Sequence, residues 1–256
     1  MKNETEEWSD KKIRRRTFFS FAGFLLAGVG GWFGWKWFKN LPRTNNRLPD
    51  LTRDVLSANE KVNDVFFSHK NLAKTYPKDR AARTPRINGK IGLKEAINTA
   101  NWQLEVVNPA TNESTFFQLE QIKALPKQEI IFDFKCIEGW DQIVNYGGVK
   151  LADFLHHYQL GKKTGTQEWY KYVGLETPDG QYYVGLDIES ALHPQTLLSF
   201  ELNNAPLSNL HGAPLRLIIP VKYGVKNLKR IGKMFFSDTP PRDFWHQQGY
   251  DYDVTL

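Results

Sequence analysis

Cysteine is almost missing from these 256 residues: Cys136 is the only one. An intramolecular disulfide is thereby excluded, as is every zinc or iron–sulfur site built from several thiolates. A c-type haem attachment motif, which needs two cysteines, is excluded with them. There is no internal repeat and no low-complexity tract. Surplus charge is also scarce outside one segment. Residues 1–40 carry Lys2, Lys11, Lys12, Arg14, Arg15, Arg16, Lys36 and Lys39 against Glu4, Glu6, Glu7 and Asp10. That segment supplies +4 of the formal +6 and leaves +2 for everything after it. A nucleic-acid binder needs a basic stripe on its folded domain, and net charge gives little reason to expect one. Aromatics, at 14%, are too plentiful for a disordered chain. A chain this long buries a core without staples, and its length suggests one sizeable domain with an appendage.

The appendage is at the amino terminus. Phe18 to Trp35 runs without a charge, and Lys36, Trp37 and Phe38 extend it. As a helix at about 1.5 Å per residue it reaches roughly 27–31 Å, enough for a hydrocarbon core of about 30 Å. Lys11, Lys12 and Arg14 to Arg16 precede it, so its amino-terminal end is expected to stay cytoplasmic. Trp32, Trp35 and Trp37 cluster at the far end, as interfacial aromatics do. Arg15-Arg16-Thr17-Phe18-Phe19 is similar to a twin-arginine export signal, which moves folded, cofactor-loaded proteins. No Ala-x-Ala cleavage site follows, and Gly28-Val29-Gly30 is a poor substitute. The expected organisation is therefore a cytoplasmic basic segment over 1–17, an uncleaved transmembrane signal anchor over 18–38, a linker over 39–56 and a catalytic domain over 57–256. Pro42 and Pro49 in a polar stretch mark the linker.

In the body, residues 57–90 mix a short helix with loop and end in the turn signal Asn88-Gly89. Trp102 to Val107 alternates like a strand and stops at Asn108-Pro109. Leu119 to Leu125 has helical spacing and ends at Pro126. Gln128 to Cys136 reads as a strand with Ile130, Phe132 and Phe134 on one face. Val149 to Leu160 reads as a helix stopped by Gly161, with Val149, Leu151, Leu155 and Tyr158 on its apolar face. Trp169 to Leu175 and Gln181 to Leu186 form a hairpin across Pro178-Asp179-Gly180. Thr196 to Leu202 and Pro214 to Pro220 form another strand pair, and Ile231 to Ser237 is the last strand. Many short strands with a few short helices define an α+β class dominated by β structure.

Lys135-Cys136-Ile137-Glu138-Gly139-Trp140 puts the thiol at a strand end, before a glycine turn. On composition alone a buried structural cysteine is the plainer reading. The run nevertheless resembles the molybdopterin-dependent sulfite oxidase family, in which a Cys followed closely by Glu-Gly-Trp supplies the one protein ligand to molybdenum. The likeness is strongest to the bacterial branch of protein-methionine-sulfoxide reductase catalytic subunits. A second block continues it in order: His211-Gly212-Ala213-Pro214-Leu215-Arg216, then Lys222-Tyr223-Gly224 and Lys226-Asn227-Leu228-Lys229. Together the blocks extend the resemblance over roughly residues 57–256.

The resemblance implies the sulfite oxidase fold behind the transmembrane helix and a molybdenum-molybdopterin cofactor with Cys136 as metal ligand and catalytic residue. A thiolate is a soft ligand suited to such a metal, and a cofactor that carries the redox chemistry needs only one protein ligand. Arg216, Lys229 and His211, with the backbone of Asn227 and Leu228, are expected to hold the pterin phosphate. Thr177, in Leu175-Glu176-Thr177, and Asn63, Phe66 and Phe67 are expected to contact the pterin, with Phe67 and His69 ranked below Asn63 and Phe66.

The same resemblance implies a monomeric catalytic subunit without a haem domain or carboxy-terminal dimerisation domain. Its expected place is the inner membrane with the catalytic domain in the periplasm. It would exchange electrons with a separate redox partner, such as a haem-containing membrane subunit, and bind no nucleic acid. The expected reaction is two-electron oxygen-atom transfer, with reduction of small or protein-bound sulfoxides or related S- and N-oxides favoured. Lys135 is the one cation identified near the metal, where sulfite-oxidising members have several arginines, and Trp140 and Tyr146 are expected as an apolar wall. Sulfite oxidation is the alternative within the family, and a non-catalytic anchored binding protein the alternative outside it.

Overall fold

A computed structural model describes residues 10–43, 49–52, 54–55, 58, 71–93 and 97–256. The chain divides into two compact units, Met1–Leu56 and Ser57–Leu256. In the first, helix α1 spans Asp10–Lys39. Phe18, Phe24, Leu26, Trp32, Trp35 and Trp37 stand exposed around it, so no single face is apolar. Residues 11–39 are long and apolar enough to cross a membrane by length and composition.

The second unit is built from two five-stranded sheets. In the first, the order is β2 (Ser114–Gln118), β1 (Gln103–Val107), β10 (Lys233–Ser237), β5 (Tyr172–Glu176), β6 (Tyr183–Asp187). Its one parallel pair is β1 with β10. In the second, β3 (Lys127–Lys135) pairs with β4 (Asp141–Lys150), β4 with β7 (Leu197–Leu202), and β7 with both β8 (Ala205–Pro206) and β9 (Arg216–Ile218). Short helices α2 (Leu119–Lys123), α3 (Leu151–His157), α4 (Ile188–Leu192) and α5 (Phe244–Gln247) connect or flank the sheets. The architecture is the expected mixed β-rich domain.

Alternation explains the strands. Leu104 and Val106 on β1, Val173 and Leu175 on β5, and Val184 and Leu186 on β6 all enter one core with Leu151, Phe154 and Leu155 of α3. Ile130 and Phe132 on β3 join a second core with Val144, Tyr146 and Ile218. Gly174 and Gly185 face each other across the β5–β6 hairpin. A Cβ on Gly174 would stand 2.3 Å from the Phe235 ring, so glycine leaves the space that this ring of β10 fills.

The expected helix over Val149 to Leu160 is shorter in the structure. Val149 and Lys150 still pair with Leu198 and Leu197, and α3 begins at Leu151. Gln159 and Gly161 both take positive φ and end it. Over the described part of residues 57–90, from Asn71 onwards, the chain is mostly irregular, with one 3₁₀ turn at Lys78–Arg80.

Candidate active site

Period two on β3 decides what reaches the site. Phe134 and Cys136 line one cavity, whereas Lys135 lines a different hollow beside Asp133 and Pro220. The expectation that Lys135 supplies a cation near the metal is therefore corrected: its side chain belongs to the opposite face of the strand. At the strand end the Cys136 amide donates to the Trp140 carbonyl (2.9 Å) and the Gly139 amide to the Cys136 carbonyl (3.1 Å). Gly139 has φ +84°, which makes this reversal easy for glycine. The Trp140 ring stacks on Phe134 at 6.0 Å, and its Nε1 donates to Glu138 Oε2 at 2.9 Å. The Arg86 guanidinium lies 4.6 Å from the Trp140 ring centroid. The turn is thus braced around the thiol.

Cys136 is 7% exposed. Burial pushes the thiol above its ordinary range, while backbone N–H groups and Arg86 pull the other way. Asn88 Nδ2 lies 3.5 Å from its Sγ and can donate to it. The cavity in front of Cys136 has a volume of about 290 Å³. Besides Asn88, its walls include Arg216, Lys229, Tyr182, Trp245 and Tyr250. A wider hollow of about 390 Å³ between Trp102, Phe200 and Pro214 contains no thiol.

Arg216 opens β9 and is 2% exposed. Nη1 donates to the His211 carbonyl at 3.1 Å, but the buried Nε has no partner. Its guanidinium lies 4.9 Å from the Tyr146 ring centroid. Burial lowers its pKa. Lys229 donates to the Gly89 carbonyl at 2.9 Å, and burial, then Arg216, lowers its pKa to about 8. Neither cation forms an ion pair among the described residues. A buried cation without an acid is costly, so this wall is built to receive an anion.

The other expected site residues fall into three groups. Asn227 touches the cavity, but its Oδ1 accepts from the Ile219 amide (2.8 Å) and its Nδ2 donates to the Tyr223 carbonyl (3.3 Å). The Asn227 and Leu228 amides donate to Gly224 and Lys226 carbonyls, so this turn chiefly positions Lys229. Leu228 is fully buried and is not among the cavity walls. His211 and Thr177 form the second group, outside the cavity walls. His211 bonds Ser208 at 2.9 Å through Nδ1 and supports Arg216 through its carbonyl. Burial lowers its pKa. Gly212 beside it has φ +98°, and a Cβ there would stand 1.5 Å from the Lys229 carbonyl oxygen. Thr177 is tied into its hairpin, with Oγ1 donating to Asp179 at 2.6 Å, while Tyr182 of the same hairpin reaches the cavity. Asn63, Phe66, Phe67 and His69, the third group, lie outside the described residues.

The expected apolar wall is also corrected. Tyr146 is 4% exposed in the second core, beside the Arg216 guanidinium, and Trp140 braces the turn. The wall is Tyr182, Trp245 and Tyr250 instead. Asn88 was visible in the sequence only as half of a turn signal, and the carboxy-terminal aromatics carried no local signal of a site.

Residues 91–245 match the family model of the oxidoreductase molybdopterin binding domain. The chain belongs to this family and is a molybdopterin-binding oxidoreductase of the sulfite oxidase type. It is 31% identical over 196 residues to the "Putative protein-methionine-sulfoxide reductase subunit YedZ1" of Azospira oryzae, covering 76% of this chain and 72% of that one. It is 29% identical over 196 residues to the protein-methionine-sulfoxide reductase catalytic subunit MsrP of Campylobacter jejuni, covering 72% and 64%. The sulfane dehydrogenase SoxCD from Paracoccus pantotrophus superposes with a TM-score of 0.48 at 18% identity, over 57% of this chain and 40% of that one. Family membership sets aside the non-catalytic alternative and implies a molybdenum-molybdopterin cofactor.

Proposed function

We propose that the chain reduces sulfoxides or related S- and N-oxides, with Cys136 as the molybdenum ligand. When bound, the cofactor supplies the two-electron centre that takes up an oxygen atom. The protein residues fit it. The lone thiol faces a cavity, and the orphaned Nε of Arg216 with the cation of Lys229 suits the pterin phosphate. Asn88 steadies the sulfur, and Gly139 with Trp140 holds the turn that presents it. Asn63, Phe66, Phe67, Thr177 and His211 are proposed as pterin contacts on the family likeness.

The observation that carries the direction of reaction is the cavity wall beside Cys136, on which no lysine of β3 stands. Sulfite needs cations beyond those that suit the pterin phosphate, whereas a neutral sulfoxide needs only a donor and an apolar wall. Asn88 is such a donor, and Tyr182, Trp245 and Tyr250 are such a wall. The names of the relatives favour oxidised methionine as the sulfoxide. One observation favours sulfite oxidation: the Arg86 guanidinium lies 4.6 Å from the Trp140 ring centroid, beside the turn that carries the thiol.

The domain limits proposed are 1–17, 18–38, 39–56 and 57–256, with α1 as an uncleaved inner-membrane anchor and the catalytic domain in the periplasm. Paired Arg15 and Arg16 before an apolar helix support this. Arg15→Lys with Arg16→Lys then strands loaded enzyme in the cytoplasm, while a mature amino terminus beyond residue 30 overturns the anchor. A separate redox partner is proposed, such as a haem-containing membrane subunit. The test of function is a side-by-side assay of molybdenum-loaded protein. Reduced viologen with methionine sulfoxide should turn over faster than sulfite with ferricyanide; sulfite oxidation without sulfoxide turnover overturns the reading.

A further inference from the structure

We propose that the exposed strap from Lys74 to Lys90 is the docking surface for an acidic electron-donor protein. The inference rests on the reductase reading above. The strap carries Lys74, Lys78, Arg80, Arg83, Arg86 and Lys90 against Asp79 alone, a net charge of +5. Everything else after residue 40 then sums to −3, so the near-neutral body conceals one strongly basic stripe. All six cations are exposed. Lys78 pairs with Glu129 at 2.7 Å, but Lys74, Arg80, Arg83, Arg86 and Lys90 have no ion pair among the described residues. Basic side chains left without acids favour a partner that brings them.

The strap leads to the thiol proposed as the metal ligand. The Ala82 amide donates to the Ile143 carbonyl (2.9 Å), and the Arg86 amide donates to Gln142 Oε1 (2.8 Å). Both bonds fasten it to β4. Two residues further on, Asn88 touches Cys136 Sγ, and Arg86 covers Trp140. Ile87 (44% exposed) and Ile91 (39%) stand among the cations, and Ile91 lines the cavity. An apolar patch inside a charged rim is the anatomy of a protein interface, and it favours a protein over a lipid surface.

Electron balance gives the surface its purpose. Reducing R₂SO breaks the S–O bond and yields R₂S and water, which consumes two electrons and two protons. Among the described residues no cluster of His, Cys, Asp and Glu could hold a second metal as an electron store. On the reductase reading both electrons come from a separate donor, assigned here to the acidic redox protein, and the strap is the charged surface that adjoins Cys136.

The experiment uses loaded full-length enzyme with reduced flavodoxin, a small acidic flavoprotein that serves as the probe for an acidic donor surface and not as the physiological partner, and methionine sulfoxide as acceptor. Arg80→Glu with Arg83→Glu is compared with Lys162→Glu plus Lys171→Glu, an equal change of charge elsewhere. Flavodoxin-driven turnover should fall about tenfold or more in the strap variant at low salt, while viologen-driven turnover stays at the wild-type rate. The wild-type flavodoxin rate should decline as salt rises from about 20 to about 300 mM, and the variant's should be nearly flat. Binding of flavodoxin is also measured directly, without turnover, and should be lost in the strap variant alone. If viologen-driven sulfoxide turnover is missing, the reductase reading fails, and the binding measurement still decides the surface. Equal flavodoxin binding by strap variant, control and wild type overturns the proposal. So does strap-dependent binding to phosphatidylglycerol vesicles with none to flavodoxin, which would make the strap a membrane contact.

Discussion

Lys226 Nζ lies 2.6 Å from Asp243 Oδ2, and both side chains are buried. The carboxylate also accepts from the Gly185 amide (3.2 Å) and, through Oδ1, from the Trp245 and His246 amides that begin α5. Lys226 donates in turn to the Gly185 carbonyl at 2.9 Å. This one pair joins the turn that presents Lys229 to the segment that presents Trp245 and Tyr250.

Removing one partner of a buried pair costs about 3–5 kcal/mol. Asp243→Ala should therefore lower unfolding stability by about that amount, and Asp243→Asn, which keeps the helix cap, by less. Urea titration of both variants measures it. A loss below about 1 kcal/mol in Asp243→Ala would show a pair worth no more than a surface contact.

Arg216→Met should separate folding from cofactor binding. In the cofactor-free protein Arg216 is a buried cation with an unsatisfied Nε, so its removal should leave stability unchanged or raise it. In the loaded protein the same change should lower molybdenum occupancy, because the pterin phosphate loses its forked partner. Thermal unfolding of both forms, with metal analysis, checks the contrast. A cofactor-free variant much less stable than wild type would make Arg216 a structural residue.

Lys229 gives a pH signature. Its pKa falls from 10.5 to about 8 on folding, chiefly through burial. The unfolded chain thus binds more protons between those values, and stability must rise with pH across that window. The cofactor-free protein should gain stability as pH climbs from about 8 toward 10, relative to Lys229→Gln, in which this contribution is flat. Urea midpoints at each pH test it, and parallel profiles would place Lys229 in solvent.

The hairpin of Tyr172–Glu176 with Tyr183–Asp187 and the thiol at the end of β3 were legible because local signals decide them: alternation, Pro-Asp-Gly and the glycine turn after Cys136. Strand β4 was not. It contains Gly147-Gly148, and a Cβ on Gly148 would stand 2.3 Å from the Leu198 carbonyl oxygen. Glycine is there so that β7 can approach, at a shift of register. The Arg216 wall was legible only through family likeness. Asn88, Tyr182, Trp245 and Tyr250 come from three distant segments, and only tertiary contact brings them to Cys136.

The account stands most directly on the bond between Cys136 and molybdenum. X-ray absorption at the molybdenum edge of wild type and Cys136→Ser counts the sulfur ligands. Molybdenum should be retained in part by the serine variant with one sulfur fewer than wild type and no turnover. An unchanged sulfur count with wild-type turnover would contradict the assignment of Cys136 and the site built around it.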